Sequence, residues 1–173
     1  GEISGYGVGV YLEGTSTTDI VKLDGTSTKL NYKTATSSGD GIIGLYLSGN
    51  TKISDYTGPI TVGKTVEDNG TKYAIGIYAK NQGTSTSAYT IKTPITTGEK
   101  GIGIFAADKS IIQYNNGTID VGANGIGIYL KDNSTLLGNK VTLKQTATGT
   151  LAGKVGILAD TVTNKTLNTE VVA

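Results

Sequence analysis

The chain has 173 residues, a net charge of +1 and 26 glycines, and it lacks cysteine, methionine, tryptophan and histidine; all 15 basic residues are lysine. Zero cysteine excludes disulfides and thiolate metal sites. Lysines and acids alternate without the basic stripe that a nucleic-acid surface needs, and no window has the apolar length of a membrane-spanning helix.

Thr, Ile, Val, Tyr and Gly dominate, with turn residues at short intervals, which favours strands joined by tight turns. Internal repetition is the strongest signal. One phrase opens as Gly7-Val8-Gly9-Val10-Tyr11-Leu12 and returns as Ile42-Ile43-Gly44-Leu45-Tyr46-Leu47. It recurs as Ala74-Ile75-Gly76-Ile77-Tyr78-Ala79 and Gly101-Ile102-Gly103-Ile104-Phe105-Ala106. The last copies are Gly125-Ile126-Gly127-Ile128-Tyr129-Leu130 and Lys154-Val155-Gly156-Ile157-Leu158-Ala159. The central glycines 9, 44, 76, 103, 127 and 156 are separated by 35, 32, 27, 24 and 29 residues. A constant phrase at an irregular period predicts a β-solenoid with loops of unequal length. A helical repeat would show a 3.6-residue period inside each copy, and a propeller blade would need about 40–45 residues.

Strict alternation inside the phrase predicts that Val8, Val10, Leu12 and their counterparts form the core face. Gly9, Tyr11, Glu13 and their counterparts then face outward. Leu30-Asn31-Tyr32, Ile60-Thr61-Val62, Ile119-Asp120-Val121 and Val141-Thr142-Leu143 supply a second strand per turn. Ile20-Val21-Lys22-Leu23, Ile111-Ile112 and Leu136-Leu137 supply shorter pieces. The expected fold is all-β, a right-handed parallel β-helix of about six coils, with residues 1–173 forming a single β-helix segment. Asn69-Gly70, Asn116-Gly117 and Asn124-Gly125 are hairpin-type dipeptides. A sandwich of hairpins would use them, but it would not return one phrase in one register.

The outward ladder Tyr11, Tyr46, Tyr78, Phe105 and Tyr129 is a candidate ligand-binding surface. Each aromatic has a glycine two residues before it, expected on the same face, and such a trough could stack on a sugar ring or accept a protein. The alternative is that the rings stabilise neighbouring coils, each pair contributing about 0.5–1.5 kcal/mol beyond area burial. Long insertions are the other candidates, because solenoid loops often carry binding. Tyr32 and Lys33 lie in the insertion Gly25–Asp40, and Glu67 and Asp68 in Gly63–Lys72. A third insertion covers Asn81–Ser87. Asp108 and Asp132 would stack in neighbouring coils at about the spacing of a retaining glycosidase pair. A polar turn that bends the coil is the preferred explanation, since the turn context is right and nothing else supports catalysis. Gly5-Tyr6-Gly7-Val8-Gly9 opens a strand, not a helix, and so is no phosphate loop. The row Glu13, Ser48, Lys80, Ala107, Lys131 and Asp160 is expected to be mixed and solvated. No catalytic residue, metal ligand or cofactor is expected.

The phrases Gly125–Lys131 and Ala74–Lys80, set between Asn/Thr/Gly-rich spacers, resemble the repeats of large autotransporter passengers from fusobacteria. The resemblance runs from about Gly5 to Asp160 and extends to the lysine-only, cysteine-free composition. It implies type V secretion, with the chain an internal segment of a larger passenger held at the outer membrane by a C-terminal barrel. It also implies a cell-surface adhesin whose partner is a host-cell receptor protein, a glycan or another bacterium. No binding motif of that family can be matched here, so no residue roles carry over. Two alternatives remain: a structural spacer, and a polysaccharide-degrading β-helix enzyme. The absence of arginine and histidine counts against the enzyme.

Overall fold

The computed structural model describes residues 1–5, 7–23, 28–31, 42–53, 56–67, 70–81, 86–115, 117–137, 140–144, 155–160 and 170–172. The chain begins with β1 (Glu2–Ser4) and then repeats a pass of up to three strands. The first pass is β2 (Val8–Gly14), β3 (Val21–Lys22) and β4 (Lys29–Asn31); the second is β5 (Ile42–Gly49), β6 (Thr51–Lys52) and β7 (Ile60–Val62). Next come β8 (Ala74–Lys80), β9 (Tyr89–Ile91) and β10 (Ile95–Thr97), then β11 (Ile102–Ala107), β12 (Ile111–Tyr114) and β13 (Thr118–Asp120). The last strands are β14 (Ile126–Leu130), β15 (Thr135–Leu137), β16 (Lys140–Lys144), β17 (Val155–Ala159) and β18 (Glu170–Val172).

Each strand pairs with its counterpart one pass away, and every strand pairing is parallel. The phrase strands make a six-stranded sheet in the order β17-β14-β11-β8-β5-β2. A seven-stranded sheet runs β1-β4-β7-β10-β13-β16-β18, and the shorter β15-β12-β9 and β3-β6 stacks form the third side. This is a parallel β-helix. Strands β9 and β10 carry no repeated phrase and were not anticipated from the sequence.

The core shows where simple alternation fails. Ile42, Leu45 and Leu47 all belong to the core cluster, as do Ala74, Ile77 and Ala79. A strand of period two cannot put residues three apart on one face. The break falls at the glycine. A Cβ on Gly44, Gly76 or Gly103 would lie 2.4 Å from Cγ2 of Ile60, Ile95 or Ile119, on the opposite sheet of the same pass. It would also lie 2.5–2.7 Å from the carbonyl oxygen of the next glycine in the stack. These glycines therefore point inward beside the aliphatic residue that follows them, and the face order is in, out, in, in, out, in. The expected outward Gly–aromatic row is corrected: the glycines line the core. The first aliphatic residue of each copy is corrected as well. Val8 and Val155 are exposed and Ile43 and Ile126 half-buried, whereas Ile75 and Ile102 are buried although they stand outside the central cluster.

Corners are built from two kinds of turn. Gly98–Gly101 and Gly122–Gly125 close with N–H to carbonyl bonds of 3.2 Å, and their third residues, Lys100 and Asn124, have φ of 55° and 56°. That is the φ pattern of a type II turn. Ala107–Ser110 and Lys131–Ser134 have positive φ at both central residues, as in type I′ turns. Asn124-Gly125 thus bends a coil and does not make a hairpin.

Three tyrosines seal the interior. Tyr56 donates to the Thr28 carbonyl at 2.7 Å, Tyr89 to that of Gly49 at 2.7 Å, and Tyr114 to that of Thr93 at 3.1 Å. Thr93 Oγ1 donates in turn to the Tyr56 carbonyl at 3.1 Å, so one corner carries a hydrogen-bonded column from pass to pass. Gly117 leaves room for it, since a Cβ there would meet the Tyr114 hydroxyl at 2.1 Å.

Exposed large apolar side chains gather on the terminal strands: Ile3, Val8, Tyr11 and Val21 at one end, Leu137 and Val155 at the other. Tyr73, immediately before β8, is also exposed.

Two predictions follow from the core. Gly76→Ala forces Cβ against Ile95 and the Gly103 carbonyl and should cost about 1–3 kcal/mol by urea denaturation. Gly7→Ala, where nothing lies within 4 Å of the added Cβ, should stay within about 0.5 kcal/mol of the parent. The second concerns alkali. Burial pushes the Tyr56 and Tyr89 hydroxyls up to about 12, and Tyr114 higher. An unfolded phenol ionises near pH ~10, so the folded state keeps protons that the unfolded chain has lost. This stability is complete below pH ~10 and disappears as pH rises through ~12. Tyrosinate absorbance should show three of the ten tyrosines ionising only together with loss of the β circular-dichroism signal. Ionisation of all ten before unfolding would refute the buried assignment.

Candidate functional site

The outer face of the six-stranded sheet is built from the outward positions of the phrase, now the first aliphatic and the aromatic three residues later. The structure brings five sequence-derived candidates together there. Tyr11 and Tyr46 stack with centroids 4.6 Å apart and planes at 2°. Tyr46–Tyr78, Tyr78–Phe105 and Phe105–Tyr129 follow at 5.1, 5.0 and 4.9 Å, tilted or edge-on. Register fixes this column, since Tyr11↔Tyr46↔Tyr78↔Phe105↔Tyr129↔Leu158 are paired positions. Tyr11 is 55% exposed; the others are half-buried.

This geometry changes what the ladder can offer. The Tyr11 and Tyr46 ring faces meet each other, so that pair presents edges and hydroxyls sideways. The expected glycine trough is absent from the outer face because the glycines point inward. Its place is taken by the aliphatic column Ile43, Ile75, Ile102 and Ile126, which the sequence reading put in the core. A glycine that returns in every copy was the available clue, because a solvent-facing row has no need of it, whereas close backbone approach does.

Polar groups edge the aromatic column. Tyr11 donates to Glu13 at 3.1 Å and Tyr129 to Asp160 at 3.0 Å. Desolvation and these carboxylates raise both phenols above the ordinary tyrosine value, and desolvation followed by the neighbouring Tyr46 raises Tyr78. Lys80 pairs with Asp108 at 3.5 Å, and this carboxylate raises the lysine. The expected solvated row is partly corrected. Ser48 and Ala107 are buried at 0% and 5% exposure, while Glu13 and Asp160 are exposed. Asp108 and Asp132 sit at the first central position of the type I′ turns, with φ of 51° each. The corner accounts for both, and Asp108 also has its lysine partner.

The second insertion is a small projecting hairpin. Val66 and Lys72 bridge antiparallel, with N–H to carbonyl distances of 3.0 and 2.8 Å, and Gly70 has φ of 111°. Of the hairpin-type dipeptide Asn69-Gly70, Gly70 lies between these bridged residues, while Asn69 lies outside the described residues. The hairpin is fastened to the next pass by Thr65 N–H to the Glu99 carbonyl at 2.9 Å, Thr65 Oγ1 to the Lys100 carbonyl at 2.6 Å, and a Lys100–Glu67 ion pair. Lys64, Thr65, Val66, Glu67, Glu99 and Lys100 line an open hollow of about 350 Å³. Hydrogen bonding to Glu67 raises the Lys100 ammonium. Glu67 is therefore on the surface but already paired. The candidates Tyr32, Lys33 and Asp68 lie outside the described residues. Among the described residues, no group of three or more acidic, His or Cys side chains could hold a metal ion.

A double-mutant cycle tests the column as a structural unit. Tyr46→Ala and Tyr78→Ala should couple by about 0.5–1.5 kcal/mol in chemical denaturation. Tyr11→Ala, at the exposed end, should cost less than either. Additive effects for Tyr46 and Tyr78 would show that the ring contacts carry no energy of their own. No family model, characterised protein or solved structure shows a significant match to this chain.

Proposed function

We propose that this chain is a non-catalytic segment of a bacterial surface adhesin, part of an autotransporter passenger displayed outside the cell. Its partner is a host-cell receptor protein or glycan, or the surface of another bacterium. The observation that carries the reading is the outer face of the six-stranded sheet. The aromatic column runs unbroken from the exposed Tyr11 through half-buried rings to Tyr129, beside an aliphatic column in which Ile43 and Ile126 are half-buried and Ile75 and Ile102 are buried. Contiguous exposed apolar surface on a soluble protein marks interaction sites. Tyr73, immediately before β8 of this sheet, is 51% exposed and adds an aromatic ring to the surface. A spacer reading draws on the Tyr11–Tyr46 stack, where the ring faces are used on each other.

Binding of the purified chain to epithelial cells, partner bacteria and a glycan array separates these readings. Adhesion predicts saturable binding that falls about tenfold, or ~1.4 kcal/mol, in Tyr73→Ala or Tyr78→Ala. Uniform silence across all three assays supports the spacer. Turnover of an acidic polysaccharide would overturn both in favour of an enzyme.

A further inference from the structure

We propose that Tyr11 and Tyr46 are a site of oxidative modification. A one-electron oxidant joins their rings as dityrosine, with Glu13 accepting a proton, and so staples the first pass of the helix to the second. The inference holds whether the chain adheres to a partner or only spaces one.

Coupling of two phenols needs both rings held with their ortho carbons opposite each other, since proximity replaces a rare meeting of two radicals. The outer column holds five rings, and its geometry singles out one pair. Tyr11 and Tyr46 occupy paired positions on the parallel strands β2 and β5. Neighbouring strands lie about 4.8 Å apart. The ring centroids lie 4.6 Å apart with planes at 2°. The second ring is thus close to a translated copy of the first, and like carbons face like carbons. The other contacts of the column do not offer this. Tyr78 meets Tyr46 edge-on, at 86°. Phe105 stands between Tyr78 and Tyr129 and has no hydroxyl to lose. Tyr56, Tyr89 and Tyr114 are sealed in the interior.

Glu13 prepares the pair for electron loss. The Tyr11 hydroxyl donates to Glu13 Oε2 at 3.1 Å, so the proton has an acceptor in place when the electron departs. Each ring yields one electron and its hydroxyl proton, the Tyr11 proton to Glu13 and the Tyr46 proton to water. The two phenoxyl radicals then share their unpaired electrons in one bond between ortho carbons. The hydrogens on those carbons move through water to the oxygens, which restores both phenols. The oxidant is hydrogen peroxide acting through a haem peroxidase; it takes up the two electrons and two protons and leaves as two waters. The new bond closes a loop from Tyr11 to Tyr46, and such a cross-link restricts the unfolded chain more than the folded one.

The purified chain is treated with hydrogen peroxide and a haem peroxidase. The expected product is a monomer lighter by two hydrogens, with dityrosine fluorescence, in which peptide mass spectrometry places the new bond between Tyr11 and Tyr46. Tyr46→Phe keeps an aromatic ring in the column, its β circular-dichroism signal reports that it folds, and it should lose this cross-link entirely. Glu13→Gln should slow the coupling by about tenfold, less than a positioned base gives in a closed site. Four results would overturn the proposal: no dityrosine in the monomer, cross-links that fall mainly on other tyrosines or between molecules, an undiminished yield in Tyr46→Phe, or an equal rate in Glu13→Gln.

Discussion

The architecture depends on one steric constraint. From the second pass to the fifth the long sheet and the sheet opposite approach so closely that a single methyl group would not fit between them at the phrase glycine. Gly44, Gly76 and Gly103 each face an isoleucine, and Gly127 faces Leu143, with room for a hydrogen atom only. Two consecutive inward positions follow, and a strand that turns two neighbours inward must bend there. The stacked bends coincide because the glycine carbonyls themselves lie in a column. The pinch therefore sets both the width of the core and the direction in which the aromatic leaves the sheet.

From that point the stack behaves as a one-dimensional object. Each pass meets only its neighbours, and the contacts repeat: aliphatic on aliphatic inside, ring on ring outside, hydroxyl on carbonyl at the corners. Such molecules divide their stability among repeat and interface contributions. The Tyr56, Thr93 and Tyr114 hydroxyls add direction to otherwise non-directional packing. Each satisfies a carbonyl of the preceding pass at a corner, where no strand partner is available, and an unpaired buried carbonyl would cost about 1–3 kcal/mol.

Much of this was legible from residue order. The repeated phrase announced a parallel stack, and the second strands at Ile60–Val62, Thr118–Asp120 and Lys140–Lys144 sit where short alternating segments suggested. The face assignment was half legible. Counting in twos gives the right answer after the glycine and the wrong one before it, because a bend has no letter of its own. Strands β9 and β10 escaped notice because Tyr89–Ile91 and Ile95–Thr97 resemble loop sequence until they are aligned with β12 and β13. The aromatic ladder was visible as a list, but the orientation of its rings depends on packing between passes. Asp108 and Asp132 were legible as turn residues that bend the coil, but the left-handed conformation of Asp108–Lys109 and Asp132–Asn133 was not, since three of these four residues are not glycine or asparagine and only the corner demands it.

The unequal spacing of the phrases has a geometric consequence. Steps of 24 to 35 residues all deliver the chain to the same parallel register one strand further on. A strand-to-strand separation of about 4.8 Å is set by backbone hydrogen bonds and does not respond to loop length. Residues added at a corner, as in the Val66–Lys72 hairpin, enlarge the girth of the molecule and leave its reach unchanged. Contour length and physical length are thereby decoupled. Insertions and deletions can redecorate the sides of the rod while its axis stays intact.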